Sequence, residues 1–535
     1  MKILIVIPRY NLTNKRDYEY AFPFGLGYIS SALKNAGYSV DCLNLNHFDG
    51  TIEYLMNKIL DSKKYDIVCS GHMGIGYTVI EKIINSAKAH KSKPKIIIGG
   101  TIITAESKLM FESLKPDFGV IGEGDITIIE LIKCLENKED LKKVNGIVYW
   151  ENGGPIFTKP RELINDLDSL PTPDFQGIGF KEQLDNMGSN SSPYGLFDEP
   201  RVYPILCSRG CPFQCTFCYH SIGMRYRIRS IRNIMKELEG AVKRYKINTI
   251  CIYDDLFSLN KERLYKFCRE IKKLINKLQW ECKWTCQLSV RDVDKEMLEK
   301  LKDAGCYAVS YGFESYSQKV LNSMKKPITP KQIDNAIKLM KETGLSIQGN
   351  FIFGDIAETK ESAKETLDYW KKNCSGEIYL GFIQPYPGSK IYERCIQRGI
   401  IKDRLDFIKN KMNITNWFNM TDSMTDEEVL QLKKDILEAR RKYAKYVVPL
   451  KIRKRKGNRY SVLVECPFCK KKINYRNFSI QDRILYTFWI SCRSCKMRFS
   501  VVSRIYKFGV NHYEKIDFLR RNYLLIRNAI LKRKM

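Results

Sequence analysis

Nowhere do the 535 residues hold the roughly 18-residue apolar run that a membrane-crossing helix requires. The N-terminal MKILIVIPRYN has one lysine and then six apolar or proline residues before Arg9. That is too short for the apolar core of a secretion signal, and it reads instead as a first buried strand, so a cytoplasmic protein is expected. No G-x-G-x-x-G follows this strand, which removes the dinucleotide fingerprint. Acidic residues are scarce at the far end. From Arg441 to Met535 there are 26 Lys and Arg against four acids, a net of +22 out of the chain's +30. The basicity therefore belongs to a C-terminal module, not to the body.

What is present suits a multidomain α/β protein. The length predicts two to four domains. The 18 cysteines, without a secretion signal, favour thiols and metal sites over a disulfide framework. Residues 1–150 alternate short apolar strands (KILIVIP, YSVDCLNL, YDIVCSG, KIIIGG) with helical patterns, which predicts a doubly wound parallel sheet. Its strands end in Gly-rich turns, where ligands bind in such folds. Residues 151–200 are rich in Pro, Gly, Asn and Ser and read as a connecting segment lying on the surface. The alternation resumes over 201–425, with about six βα units expected to form a partial barrel whose function sits at the strands' C-terminal ends. A helix over 426–450 closes the body, and 451–535 forms the basic module.

The stretch LCSRGCPFQCTFCYHS carries four cysteines. Cys211, Cys215 and Cys218 follow a C-x3-C-x2-C spacing just after the strand VYPILC. Three thiolates on one tight loop reach three corners of a [4Fe-4S] cube and leave the fourth iron open, as a catalytic site does. A zinc site or unrelated core thiols are the alternatives. Cys207, at the strand end, reads as a small buried thiol.

CPFQCTFC resembles the signature of radical S-adenosylmethionine (SAM) enzymes. That resemblance implies that the open iron binds SAM and that one electron from a donor such as flavodoxin or ferredoxin cleaves it to a 5′-deoxyadenosyl radical. Later strand ends are similar in the same order. YDD resembles the acidic strand end facing the SAM amino group (Asp254, Asp255), and YGFES places Glu314 and Ser315 toward the SAM ribose or carboxylate. GNFIFGDIAET, with Gly354, resembles the strand along adenine, although Ile356-Ala357-Glu358-Thr359 replaces the usual Pro-Gly-Glu-Thr.

Joined to such a body, PFGLGYISSALKNAGYSV resembles the cobalamin-binding domain of B12-dependent radical SAM proteins, with Gly100, Gly122 and Glu123 as lining residues. The D-x-H-x-x-G of B12 mutases is missing. His72 is the nearest candidate, either touching the corrin or packing at its strand end. The resemblance implies a C-methyltransferase, with methylcobalamin as methyl source and a small-molecule, lipid or peptide substrate. Non-methylating rearrangement or cyclisation is the alternative, as is an RNA-modifying enzyme that uses the basic tail. Cys42, Cys69 and Cys134 are scattered, which argues against a transfer-RNA methylthiotransferase.

In the C-terminal module CPFC (Cys466, Cys469) and CRSC (Cys492, Cys495) predict a four-thiolate zinc ribbon of structural type, with a second iron–sulfur site or a redox pair as alternatives. Lys and Arg interleaved with aromatics suit nucleic acid. The basic amphipathic pattern of KIDFLRRNYLLIRNAILKRKM suits an anionic membrane surface, and a solvated face is the third reading.

Overall fold

In the strand Lys2–Ile7 (β1) the residues Ile3, Ile5 and Ile7 face one side and Leu4 and Val6 the other, and all five are 0% exposed. A strand buried on both faces belongs inside a parallel sheet covered by helices. The computed structural model, which describes residues 1–10, 13–189, 195–257, 259–374, 377–412, 418–480 and 484–512, places it there. β1 pairs in parallel with β2 (Ser39–Asn44) and β3 (Ile67–Gly71), and β4 (Lys95–Gly99) and β5 (Phe118–Val120) continue the parallel set. β6 (Ile147–Glu151) and β7 (Gly154–Phe157) then add an antiparallel hairpin, giving the order β2-β1-β3-β4-β5-β6-β7. The sheet thus runs past the expected boundary at 150. The two-residue turn Asn152-Gly153, with φ of +49° and +80°, is a hairpin signal of the Asn-Gly type.

The segment 151–200 also departs from the surface connection that its composition suggested. Phe175, Ile178, Phe180 and Leu184 are buried. The Phe175 ring stacks on Phe22 at 4.3 Å and meets Tyr203 at 4.7 Å. Pro and Gly interrupt the periodicity here without exposing the chain, and the aromatics wedge the first sheet against the second. Each buried ring contributes about 2 kcal/mol of apolar burial.

The second sheet is fully parallel. Its strands β8 (Val202–Ile205), β11 (Thr249–Ile252), β12 (Lys283–Gln287), β13 (Cys306–Glu314), β14 (Ser346–Phe353) and β15 (Ile378–Phe382) lie in the order β15-β14-β13-β12-β11-β8. This is the predicted six-strand partial barrel. Between β8 and β11, a short antiparallel ladder joins β9 (Ser208–Arg209) to β10 (Arg227–Ile228). Helices cover the outer face by spacing. In Ile231–Tyr245 the residues Ile231, Ile234, Met235, Leu238, Val242 and Tyr245 form the buried stripe, and Ser230 caps its start through the Asn233 N–H.

The helix Asp426–Tyr443 closes the body against Lys360–Asn373. It leads into two three-stranded sheets. One holds β16 (Tyr446–Val447), β20 (Thr487–Ser491) and β21 (Arg498–Val502); the other holds β17 (Lys451–Lys454), β18 (Arg459–Glu465) and β19 (Lys472–Ser479). Among the described residues no helix is long and apolar enough to cross a membrane. The amphipathic stretch 515–535 lies outside the described residues.

Candidate active site

The cysteine loop is anchored at its entry before it reaches Cys211. The Cys207 N–H donates to Asp254 Oδ1 and the Ser208 hydroxyl to Asp254 Oδ2, both at 2.6 Å. Arg229 donates to the Leu206 carbonyl at 2.8 Å and Arg263 to the Cys207 carbonyl at 3.0 Å. Gly210 then turns with φ of +83°, and a Cβ there would sit 2.4 Å from the Arg225 carbonyl oxygen, so only glycine makes this turn. Further along, the Thr216 N–H donates to the Met324 carbonyl at 2.9 Å and Thr216 accepts from the Ile391 N–H at 3.0 Å. Cys211, Cys215 and Cys218 all line one cavity of about 600 Å³. Cys207 is fully buried and lines none of it.

Asp254 and Asp255, just past the end of β11, point to different surroundings. Asp254, expected to face SAM, turns inward and holds the entry to the cysteine loop. Burial raises its pKa to about 6. Asp255 reaches the cavity wall. Glu314 reaches it through a bulge. Gly312 pairs with Asn350 and Glu314 with Phe351, skipping Phe313, and Glu314 adopts φ of +61°. Bulges of this kind re-aim side chains beside functional sites. Its carboxylate accepts from Lys326 Nζ at 2.9 Å and from Asn350 Nδ2 at 2.7 Å. Burial is the largest influence on Lys326 and lowers its pKa, but the Glu314 carboxylate and the Cys215 and Cys218 sulfurs together outweigh it and the net shift is upward.

Lys326, Asn350 and Gln287 line the same cavity, and the sequence reading did not include them. Asn350 sits in the quoted GNFIFGD motif, so a signal was present for it. Lys326 and Gln287 have no motif of their own. Ser315 turns away, its hydroxyl 3.2 Å from Thr366 Oγ1. Gly354, also expected at SAM, is not a lining residue; its N–H donates to Glu358 Oε2 at 2.5 Å.

A second cavity, of about 540 Å³, opens at the C-terminal ends of β1, β3, β4 and β5. Gly100 and Gly122 line it, with φ of +84° and +77°. A Cβ on Gly25 or Gly122 would meet nothing within 4 Å, so glycine keeps open a space that other residues would fill. Tyr10, Met73 and Tyr253 also line it although 43, 57 and 48% exposed. Large apolar side chains left open around a broad cradle fit a corrin ring. Burial holds His72, on the same wall, below the usual imidazole range. The two cavities share Met73, Thr101, Ser221 and Asp255.

Glu123 lines the second cavity, yet its carboxylate is committed elsewhere. It accepts from Arg209 at 3.0 Å, from Arg227 at 2.7 Å and from the Ile164 N–H at 2.9 Å. Asp125 takes both Arg209 Nη atoms at 3.0 Å. All four side chains are buried. Arg209 immediately precedes Gly210-Cys211, so this cluster clamps the first sheet to the entry of the cysteine loop.

Lining neither cavity, Cys466, Cys469, Cys492 and Cys495 bring one sulfur each to within 4.8 Å of one another. The Ser494 and Cys495 N–H groups point at Cys492 Sγ, 3.4 and 3.5 Å away. Four convergent thiols on two knuckles fit a tetrahedral metal with no open position.

Comparison with known proteins matches residues 15–132 to the B12 binding domain and 205–369 to the radical SAM superfamily. An uncharacterised methyltransferase of Pyrococcus horikoshii is 30% identical over 413 residues, covering 75% of this chain and 84% of that protein. The cytidylyl-2-hydroxyethylphosphonate methyltransferase of Streptomyces wedmorensis is 24% identical, covering 81% and 88%. An anaerobic magnesium-protoporphyrin IX monomethyl ester cyclase of Cereibacter sphaeroides is 27% identical, covering 80% and 68%. Among solved structures, the radical SAM methyltransferase TsrM from Kitasatospora setae, with cobalamin and a [4Fe-4S] cluster bound, superposes with a TM-score of 0.58 at 17% identity, covering 74% of this chain and 76% of that one. Two domains in the same order, each with its cavity at the strand ends, and a relative alike over most of its length lead to one conclusion: the chain belongs to the family of B12-binding radical SAM enzymes.

Proposed function

We propose that this enzyme methylates an unactivated carbon of a small, largely apolar substrate held where its two cavities meet. The single observation that carries this reading is the shared wall of Met73, Thr101, Ser221 and Asp255, across which one bound molecule would touch both strand-end sites. Cys211, Cys215 and Cys218 would hold a [4Fe-4S] cluster in the first cavity, with Asp255, Glu314, Lys326 and Asn350 around SAM. The second cavity would hold the corrinoid. When bound, these groups supply a deoxyadenosyl radical and a transferable methyl group. The protein orients the three partners and keeps water from them. Phe213, Phe217, Tyr219 and Tyr386 give the first cavity an aromatic wall, which supports an apolar substrate. The reduced cluster requires an electron donor of the flavodoxin or ferredoxin type, consistent with a cytoplasmic enzyme.

The C-terminal module, from about 451, would hold a structural zinc on its four cysteines. On its three-stranded sheet β17-β18-β19 the register sets Lys451 opposite Leu463 and Arg453 opposite Ser461, while Tyr460, Val462 and Val464 face the ribbon's core. Every residue of β17 is exposed. This open basic face, interleaved with hydroxyl and amide groups, suits the phosphates of an RNA strand better than a lipid surface, which requires a broad apolar contact.

The test is product analysis. Anaerobically reconstituted enzyme is given methyl-labelled SAM, a reductant and a small-molecule cell extract. Methylation of an unactivated carbon predicts 5′-deoxyadenosine and S-adenosylhomocysteine in equal amounts, with label in a product. 5′-Deoxyadenosine alone points to rearrangement or cyclisation, and S-adenosylhomocysteine alone removes the radical step.

A further inference from the structure

Around the first cavity the charged side chains divide into committed and free. Glu314 is held by Lys326 and Asn350, and Glu106 pairs with Arg404 at 3.2 Å. His220 and Asp255 line the same cavity, and among the described residues neither side chain has a hydrogen-bond or ion-pair partner. Both are open to it. Asp255 is exposed, and His220 is half-buried with neither ring nitrogen sealed from the cavity. The imidazole stands close enough to act electrostatically on the Asp255 carboxylate, yet no ion pair joins them, so a third group can bridge the two. The place is the junction of the cavities, because Asp255 and Ser221, the residue after His220, both belong to the shared wall.

The chemistry of the bridging group follows from donors and acceptors. A neutral imidazole offers one N–H and one lone pair in either tautomer, and a carboxylate only accepts. A hydroxyl satisfies both, taking the imidazole N–H and giving its own proton to Asp255. An amine does so by giving protons to the imidazole lone pair and to the carboxylate. A carboxylate or phosphate has no proton for Asp255 and meets its charge. A substrate that fills the cavity displaces the water these groups otherwise use, so one without a suitable group leaves them unpaired, at a cost. We propose that His220 is a specificity-determining residue, which together with Asp255 holds a hydroxyl or amino group on, or next to, the carbon that is methylated. The second oxygen of Asp255 remains available to SAM. This rests on the reading that a substrate carbon reacts where the two cavities meet.

The test uses the full-length reconstituted enzyme with methyl-labelled SAM, a reductant and a small-molecule cell extract. The labelled product is isolated, and its structure should show a hydroxyl or amino group on the methylated carbon or its neighbour. A product with no such group, or with a carboxylate or phosphate in its place, would overturn the proposal. The parent molecule and an analogue with hydrogen in place of that group are then compared on wild type and His220→Phe. Loss of the group should lower kcat/KM about a hundredfold in wild type and less than about threefold in the variant. His220→Gln, whose amide also donates and accepts, should recover most of the discrimination. A ratio unchanged in His220→Phe would show a merely structural role and overturn the proposal. His220→Leu takes the place of His220→Phe should the ring disturb the cysteine loop. If the extract yields a rearranged or cyclised product without label, the methylation reading fails, and the same comparison on the molecule consumed still decides the role of His220.

Discussion

At the residue scale, the same chemical type takes different roles according to where it points. Asp254 and Asp255 are adjacent, yet one braces the cysteine loop and the other reaches the shared cavity wall. A short motif names both, and the turn of the chain as it leaves β11 separates them. Ser315 follows the same logic beside Glu314. Glu358 gives a testable case. It is buried, Oε1 has no partner among the described residues, and burial pushes its pKa up to about 8 from the usual 4.5. A carboxyl whose pKa is raised on folding contributes stability that is fully present below about 4.5 and is lost as pH rises through about 8. Glu358→Gln removes that loss. Urea unfolding at pH 5 and pH 8 should show the variant gaining on wild type by about 3–4 kcal/mol at the higher pH. An equal difference at both values would contradict the assignment.

At the scale of elements, strands and their order were legible because apolar runs alternate cleanly with amphipathic helices. What the sequence hid depends on contacts distant along the chain. The bulge that turns Glu314 into the cavity arises from the register of β13 against β14. The wedge of Phe175, Ile178 and Phe180 sits in a Pro- and Gly-rich stretch whose composition resembles a surface loop. The clamp of Arg209 and Arg227 with Glu123 and Asp125 joins residues about a hundred positions apart, so the sequence shows Glu123 at the cavity wall but not that its carboxylate serves the interface. Removing one member strands a buried charge. Arg209→Met should cost about 3–5 kcal/mol by denaturant titration. Adding Asp125→Leu should cost clearly less than the sum of the two single changes, and strict additivity would show that the pair is not coupled.

At the scale of the whole molecule, a basic ribbon is attached to an enzyme body that lacks its charge. The ribbon docks through Asp198, which accepts from Arg493 at 2.7 Å and from the Arg476 N–H at 2.6 Å. These contacts use β19 and the second knuckle, and β17 lies at the opposite edge of its sheet. Replacing Lys451, Arg453 and Arg455 by Gln should flatten the salt dependence of single-stranded RNA binding by about two units of log–log slope, at about 0.7 per phosphate contact. The same number of substitutions at Lys58, Lys133 and Lys319 on the body should leave it unchanged. Equal effects would make the tail's charge a solvated face.

The central claim is that the corrinoid and iron–sulfur sites open onto one space. The most direct measurement is the paramagnetic resonance of enzyme carrying reduced cluster and cob(II)alamin together. The shared wall predicts that each signal is broadened by the other, and that the broadening disappears in Cys215→Ala, which removes one of the three proposed cluster ligands. Two sharp, unperturbed spectra in the doubly loaded enzyme would contradict the account.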